Sequence, residues 1–195
     1  DLSGMTRALK KLVVHVCTPD ELDMIEHYST RSERLADLWV HAVGLGFAAL
    51  GGVILAVLAM HYVGVGPAIA TAIYAVCLVA MLSASTIYNL ARPCAARPVL
   101  RRMDEAAIFL MIAGSYTPFT TQRFEGAWAV GFTLLVWTLA FAGVGTKLLA
   151  PRISDAFWSG VYVLFGWLAV LALKPMLETV HPVALGLLVL GGLIY

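Results

Sequence analysis

From Asp37 onward the chain is a succession of six long apolar stretches, at about 37–61, 66–91, 104–121, 127–149, 156–174 and 181–195. A helix needs about 20 mostly apolar residues to cross the hydrocarbon core of a bilayer. A soluble domain is about 45–50% apolar and about 25% charged, whereas this chain is 61% hydrophobic and 13% charged. One globular core cannot hide that much apolar surface. The chain therefore reads as an all-α integral membrane protein. Pro67, Pro93, Pro98, Pro151, Pro175 and Pro182 fall at or near the joints, where helix boundaries belong. Connections are short, so neighbouring helices are expected to be antiparallel. Pro118 lies inside the third stretch and should kink or end that helix, with Thr117 or Tyr116 available to the freed backbone. The sixth stretch reaches Tyr195 with no polar cap, so a further hydrophobic segment is expected beyond it.

Lysine and arginine set the orientation. Arg7, Lys10, Lys11, Arg31, Arg34, Arg92, Arg97, Arg101, Arg102, Lys147 and Arg152 fall on one side of the alternating topology, eleven against only Arg123 and Lys174 on the other. Basic loops stay in the cytoplasm, so the N-terminus and loop 92–102 are expected there. Residues 1–36 form a separate cytoplasmic arm. Leu9, Leu12, Val13 and Val16 share a helical face, which suits a membrane-surface helix, although Leu12–Val16 could equally be a strand. Thr18-Pro19-Asp20-Glu21 has the form of a capping box; another helix start is expected near Thr30. Cys17, Cys77 and Cys94 have no metal-type spacing, and no disulfide framework is expected. No nucleic-acid partner is expected; the partner is the lipid bilayer.

Polar residues at membrane depth are costly and usually functional. Two groups stand out. Glu33, Asp37 and His41 are four apart and share a face at the start of the first stretch, either as a capped and ion-paired helix end or as part of a site. Ser85 and Asn89 are four apart at the end of the second stretch, and Asp104 opens the third. These three should converge inside the bundle near its cytoplasmic face. Asp104 there could act as a general base or hold a metal-bound water, or it could stabilise a helix N-terminus and pair with Arg101 or Arg102. The Asn89 amide could hydrogen-bond Asp104 or Tyr88.

Glu33-x-x-Ala36-Asp37-x-x-x-His41-x-x-Gly44, then Ser85-Thr86-x-Tyr88, then the run Leu100-Arg101-Arg102-Met103-Asp104-x-Ala106-Ala107-Ile108-Phe109-Leu110 continuing through Tyr116-Thr117-Pro118-Phe119, resemble the bacterial hemolysin III family. Gly166-Trp167-Leu168-Ala169 and Lys174-Pro175 also fit. That family is similar to the progestin and adipoQ receptors, including the adiponectin receptors, within a superfamily of membrane hydrolases that includes alkaline ceramidases. The resemblance covers about residues 33–195. It implies a seven-helix bundle in the bacterial plasma membrane, with six helices in this chain, and a zinc site near the cytoplasmic face. In the family pattern one histidine ends helix 2 and two more come from helix 7, while an aspartate opening helix 3 holds the metal-bound water. Ser85 matches the family serine and Asp104 the aspartate. The helix 2 histidine is Asn89 here, and Glu105 stands where histidine often follows the aspartate. Zinc favours imidazole, thiolate and carboxylate over an amide oxygen.

The resemblance and this departure imply a degenerate metal-hydrolase site in a protein of membrane lipid homeostasis or sensing. The alternative is an active zinc-dependent hydrolase of a lipid amide bond, with Asp104 and Ser85 as its catalytic residues and Asn89 and Asp104 at the metal. Membrane permeabilisation, suggested by the family name, lacks a charged ring along any helix face. The topology predicts that a cysteine introduced into loop 92–102 is labelled from the cytoplasmic side only; labelling from outside the cell would reverse the orientation.

Overall fold

The computed structural model describes residue 28 and residues 30–91, 96–149 and 153–194. The expected surface helix and capping box of the arm, and part of loop 92–102, lie outside those residues. Among the described residues the fold is entirely helical: α1 (Arg31–Tyr62), α2 (Val65–Leu90), α3 (Arg97–Gln122), α4 (Gly126–Leu149), α5 (Asp155–Gly166), a 3-10 segment (Trp167–Ala172), α6 (Leu173–Thr179) and α7 (Pro182–Ile194). α1, α2, α4 and the segment Asp155–Ala172 are long and apolar enough to cross a membrane.

α1 begins earlier than the apolar stretch that announced it. Thr30 caps it through a reciprocal box: the Glu33 N–H donates to the Thr30 hydroxyl at 3.3 Å, and the Thr30 N–H donates to the Glu33 carboxylate at 3.2 Å. Two of the free N–H groups of the first turn are thereby satisfied. The helix expected near Thr30 and the membrane stretch from Asp37 are one helix. α3 likewise begins seven residues before Asp104. Arg97, Arg101 and Arg102, expected in the loop, stand on its first turns.

α3 packs along both α2 and α4, while α1 packs chiefly along α2. The helix with the most charge is thus the central one, while the apolar side chains Trp39, Val40, Phe47 and Leu50 of α1 are exposed. Lipid is as apolar as leucine, so apolar side chains gain nothing by hiding from it, and close van der Waals packing decides which helices meet. Two close approaches fix α3. A Cβ on Gly114 would lie 2.7 Å from the Cys77 Cβ of α2, and a Cβ on Gly143 of α4 would lie 2.5 Å from the Phe109 ring. Phe109 is buried and meets Tyr162 edge-on at 4.9 Å between centroids, with Trp158 and Phe165 at 6.0 Å. Trp158 is a core residue only 6% exposed. Trp167 is 46% exposed.

Pro118 does not end α3, which continues to Gln122. The hydroxyls of the last turns bond back to the helix instead: Thr117 to the Ala113 carbonyl at 2.9 Å and Thr121 to the Thr117 carbonyl at 2.7 Å. The Trp137 indole N–H of α4 donates to the Thr117 hydroxyl at 3.1 Å, and the Thr133 hydroxyl meets that of Thr120 at 2.8 Å. These bonds satisfy polar groups that lipid cannot.

The fifth stretch, expected to be one helix, is broken. α5 stops at Gly166 and the chain runs as a 3-10 segment before α6. Tyr116 of α3 holds the break. Its hydroxyl donates to the Gly166 carbonyl, lies 3.3 Å from that of Phe165, and accepts from the Ala169 N–H at 2.8 Å. Tyr116→Phe keeps the ring, which packs edge-on against Phe132, but strands these backbone groups. It is expected to cost about 1–3 kcal/mol, read as a lower denaturation midpoint in detergent, whereas an unchanged midpoint would show that the break is held by other contacts.

Candidate functional site

The residues singled out in the sequence meet at the charged end of the bundle. On α2, the Asn89 amide N–H donates to the Ser85 hydroxyl at 3.2 Å. Ser85 and, from α1, His41 both stand close enough to the Asp104 carboxyl of α3 to interact with it electrostatically. Ser85, Asn89 and Asp104 are half-buried. The four-residue spacing of Ser85 and Asn89 places them on adjacent turns, and the packing of α2 on α3 brings Ser85 near Asp104.

His41 is held from its own helix. Its Nδ1 lies 2.9 Å from the Asp37 carbonyl and 3.1 Å from the Asp37 carboxylate. Those contacts favour a proton on Nδ1 and leave Nε2 as the acceptor of the neutral ring. Asp37 also accepts from the Tyr28 hydroxyl at 2.5 Å. Burial, together with the Asp37 carboxylate, pushes the Tyr28 phenol up from 10.0 to about 12. A folded-state value above the ordinary one means that this contact stabilises fully below pH 10 and is lost as the pH rises toward 12. The result is a polar series across three helices: Tyr28, Asp37 and His41, then Asp104, Ser85 and Asn89. Glu33, expected beside Asp37 and His41, is exposed and its carboxylate closes the α1 capping box.

Three further contacts around this cluster were not visible in the sequence. Glu105 is paired with Lys147 of α4, and the Lys147 ammonium lies 4.7 Å from the centre of the Trp158 ring. The Tyr162 hydroxyl donates to the Glu105 carbonyl at 2.9 Å. Glu105 is therefore committed to α4 rather than offered beside Asp104, as expected for neighbours about 100° apart on a helix. Arginines close the helix ends. Arg34 donates to the Leu90 carbonyl at 3.3 Å, and Arg102 donates to the Leu148 carbonyl at 3.1 Å. A cation at a helix C-terminus satisfies free carbonyls and complements the dipole. No sequence spacing links Lys147 to Glu105 or Arg102 to Leu148; the antiparallel packing of α3 on α4 brings them together.

Among the described residues the donor set does not make up a zinc site. Asn89 directs an N–H at Ser85, His41 has one nitrogen engaged with Asp37, and no group of three His, Cys, Asp or Glu among the described residues is placed to hold a metal. What the cluster can do is bind and orient a polar group through a half-buried carboxyl and two hydrogen-bonding side chains at the mouth of an apolar bundle.

A many-helix membrane protein with a polar cluster at one end is the class these features define. The Haemolysin-III related family model matches residues 30–195, and the chain belongs to that family. It is similar to a "Hemolysin-3 homolog" of Bacillus subtilis, at 30% identity over 85% of this chain and 78% of that protein. It is also similar to a "Hemolysin-3" of Bacillus cereus, at 29% identity over 84% of this chain and 74% of that one. No solved structure matches.

Removing one partner of a buried ion pair leaves an uncompensated charge and costs about 3–5 kcal/mol. Lys147→Met is accordingly expected to destabilise the bundle by about 3 kcal/mol, and the Lys147→Met/Glu105→Gln double variant by less. Equal losses in the two, measured by denaturant unfolding in detergent, would show that Lys147 acts through its stem and not its charge.

Proposed function

We propose that this chain is a multi-pass protein of the bacterial plasma membrane, N-terminus in the cytoplasm, that keeps the scaffold of the membrane hydrolases its family resembles. Its polar cluster works without tightly held zinc, in membrane lipid sensing or homeostasis. The observation that carries this reading is the Asn89 amide donating to Ser85 at 3.2 Å, at the position where the family pattern has an imidazole. A neutral amide oxygen suits Ca²⁺ or Mg²⁺ better than zinc, and the amide N–H is spent on Ser85. Asp104 keeps its place beside Ser85, where a carboxyl and a hydroxyl can hold the polar part of a lipid entering from the bilayer.

The second reading, zinc-assisted hydrolysis of a lipid amide, is favoured by that same retained Asp104–Ser85 pair. Metal content separates the two. Elemental analysis of the full-length protein, purified without added metal, is expected to give well below one zinc per chain, and Asn89→His to raise that figure. Stoichiometric zinc in the unmodified protein would restore the hydrolase.

A further inference from the structure

In a continuous α-helix the Ala169 N–H would bond the Phe165 carbonyl four residues back, and in a 3-10 turn the Gly166 carbonyl three residues back. The Tyr116 hydroxyl of α3 engages all three groups. It accepts from the Ala169 N–H at 2.8 Å, donates to the Gly166 carbonyl and lies 3.3 Å from that of Phe165. A side chain from another helix is thus inserted into the backbone ladder of the fifth segment, a recognised cause of a helix break. Backbone strain at Gly166 does not account for the break, since its φ of −63° and ψ of −34° are helical. Pro175 lies beyond it in α6. Lacking an N–H, it frees the Leu171 carbonyl, and not those of Phe165 and Gly166.

An inserted hydroxyl makes the segment bistable. With the phenol withdrawn, the Ala169 N–H and the Phe165 carbonyl can satisfy each other, as the bilayer requires of backbone groups. The broken form keeps the phenol hydrogen bonds, and the closed form gains the better hydrogen-bond geometry of the α-helix. The two helix types also fix how the forms differ. Six residues, Trp167–Ala172, are in the 3-10 segment. A 3-10 helix rises about 2.0 Å and turns about 120° per residue, against about 1.5 Å and about 100° for an α-helix. Closing the segment into α-helix therefore draws α6 toward α5 by about 3 Å and turns it by about 120°. Successive α-helical side chains are about 100° apart, so that turn brings Leu177 to the bearing now held by Met176. Met176 is 4% exposed and Leu177 is 61% exposed. Leucine and methionine exchange with little change of volume, so the core accepts either.

We propose that the fifth segment is a two-state hinge latched by Tyr116. With the phenol inserted, the segment is broken and Met176 faces the core. With the phenol withdrawn, residues 166–172 close into α-helix, α6 turns, and Leu177 takes the place of Met176. The proposal does not rest on the reading of the Asp104 cluster.

The test reads which of the two side chains is accessible. Met176→Cys and Leu177→Cys are made separately in the full chain, with Cys17, Cys77 and Cys94 replaced by alanine, and their alkylation by a lipid-soluble maleimide is timed in detergent. With Tyr116 in place, the thiol at position 177 is expected to react about tenfold or more faster than the thiol at 176, since a minor conformation is populated at about 0.1–10%. Tyr116→Phe, which removes the latch, is expected to reverse that order. An unchanged order in Tyr116→Phe overturns the proposal, as does a rise at 176 with no fall at 177, which marks a loosened segment and not a turned one. If Tyr116→Phe does not fold, the latched protein is compared with a Val136→Cys reference, since Val136 of α4 is 1% exposed. The thiol at 176 is then expected to react faster than the thiol at 136, because the hinge exposes the first without unfolding the bundle. Equal rates at 176 and 136 would show that only unfolding exposes position 176, and would overturn the proposal.

Discussion

Hydrocarbon offers no hydrogen bonds, and α3 is the helix that pays most for that. It carries Arg97, Arg101, Arg102, Asp104 and Glu105 on its first turns and a run of hydroxyls near its end. Each needs a partner inside the protein, because an unsatisfied polar group in lipid costs several kcal/mol. The bundle is arranged around that need. α2 meets Asp104 with Ser85, α4 meets Glu105 with Lys147, and α4 returns to Thr117 with the Trp137 indole.

The same constraint explains why the fifth segment can break. An unwound stretch at membrane depth survives only where it is buried in protein. Here the phenol of Tyr116 supplies both an acceptor for the Ala169 N–H and a donor for the Gly166 carbonyl. Short 3-10 runs inside helices often mark hinges. Gly166 before this run and Ala169 and Ala172 within it line a recess with Tyr116, Phe132 and Met176.

Family membership rests on the run of residues 30–195 as a whole, whereas the surroundings of Asp104 are set by the packing of α1, α2 and α3. Asn89 turns an N–H toward Ser85, and His41 is tied to Asp37 within α1. Ser85 and Asn89 are hydrogen-bonding groups, whereas zinc favours imidazole, thiolate and carboxylate.

Much of this was legible in the sequence, because the bilayer makes local composition decisive. Apolar length placed the segments from α1 to α7 within a few residues, apart from the early starts of α1 and α3, and the four-residue spacing put Ser85 beside Asn89. Short connections force consecutive helices to be neighbours, which is why Ser85 of α2 was expected near Asp104 of α3, where it stands. Charge misled at the start of α3: basic residues suggest a loop, yet they extend the helix, since Arg102 reaches the α4 end instead of water. Other features belong to the tertiary structure alone. The Lys147–Glu105 pair, the Tyr28–Asp37 contact, the buried place of Trp158 and the break at Gly166 depend on partners 9 to 50 residues away. Hydrophobic length and spacing are properties of one segment, and sequence carries them directly. The partner that satisfies a given polar group is set by helix rotation and register, which only close packing at positions such as Gly114 and Gly143 determines.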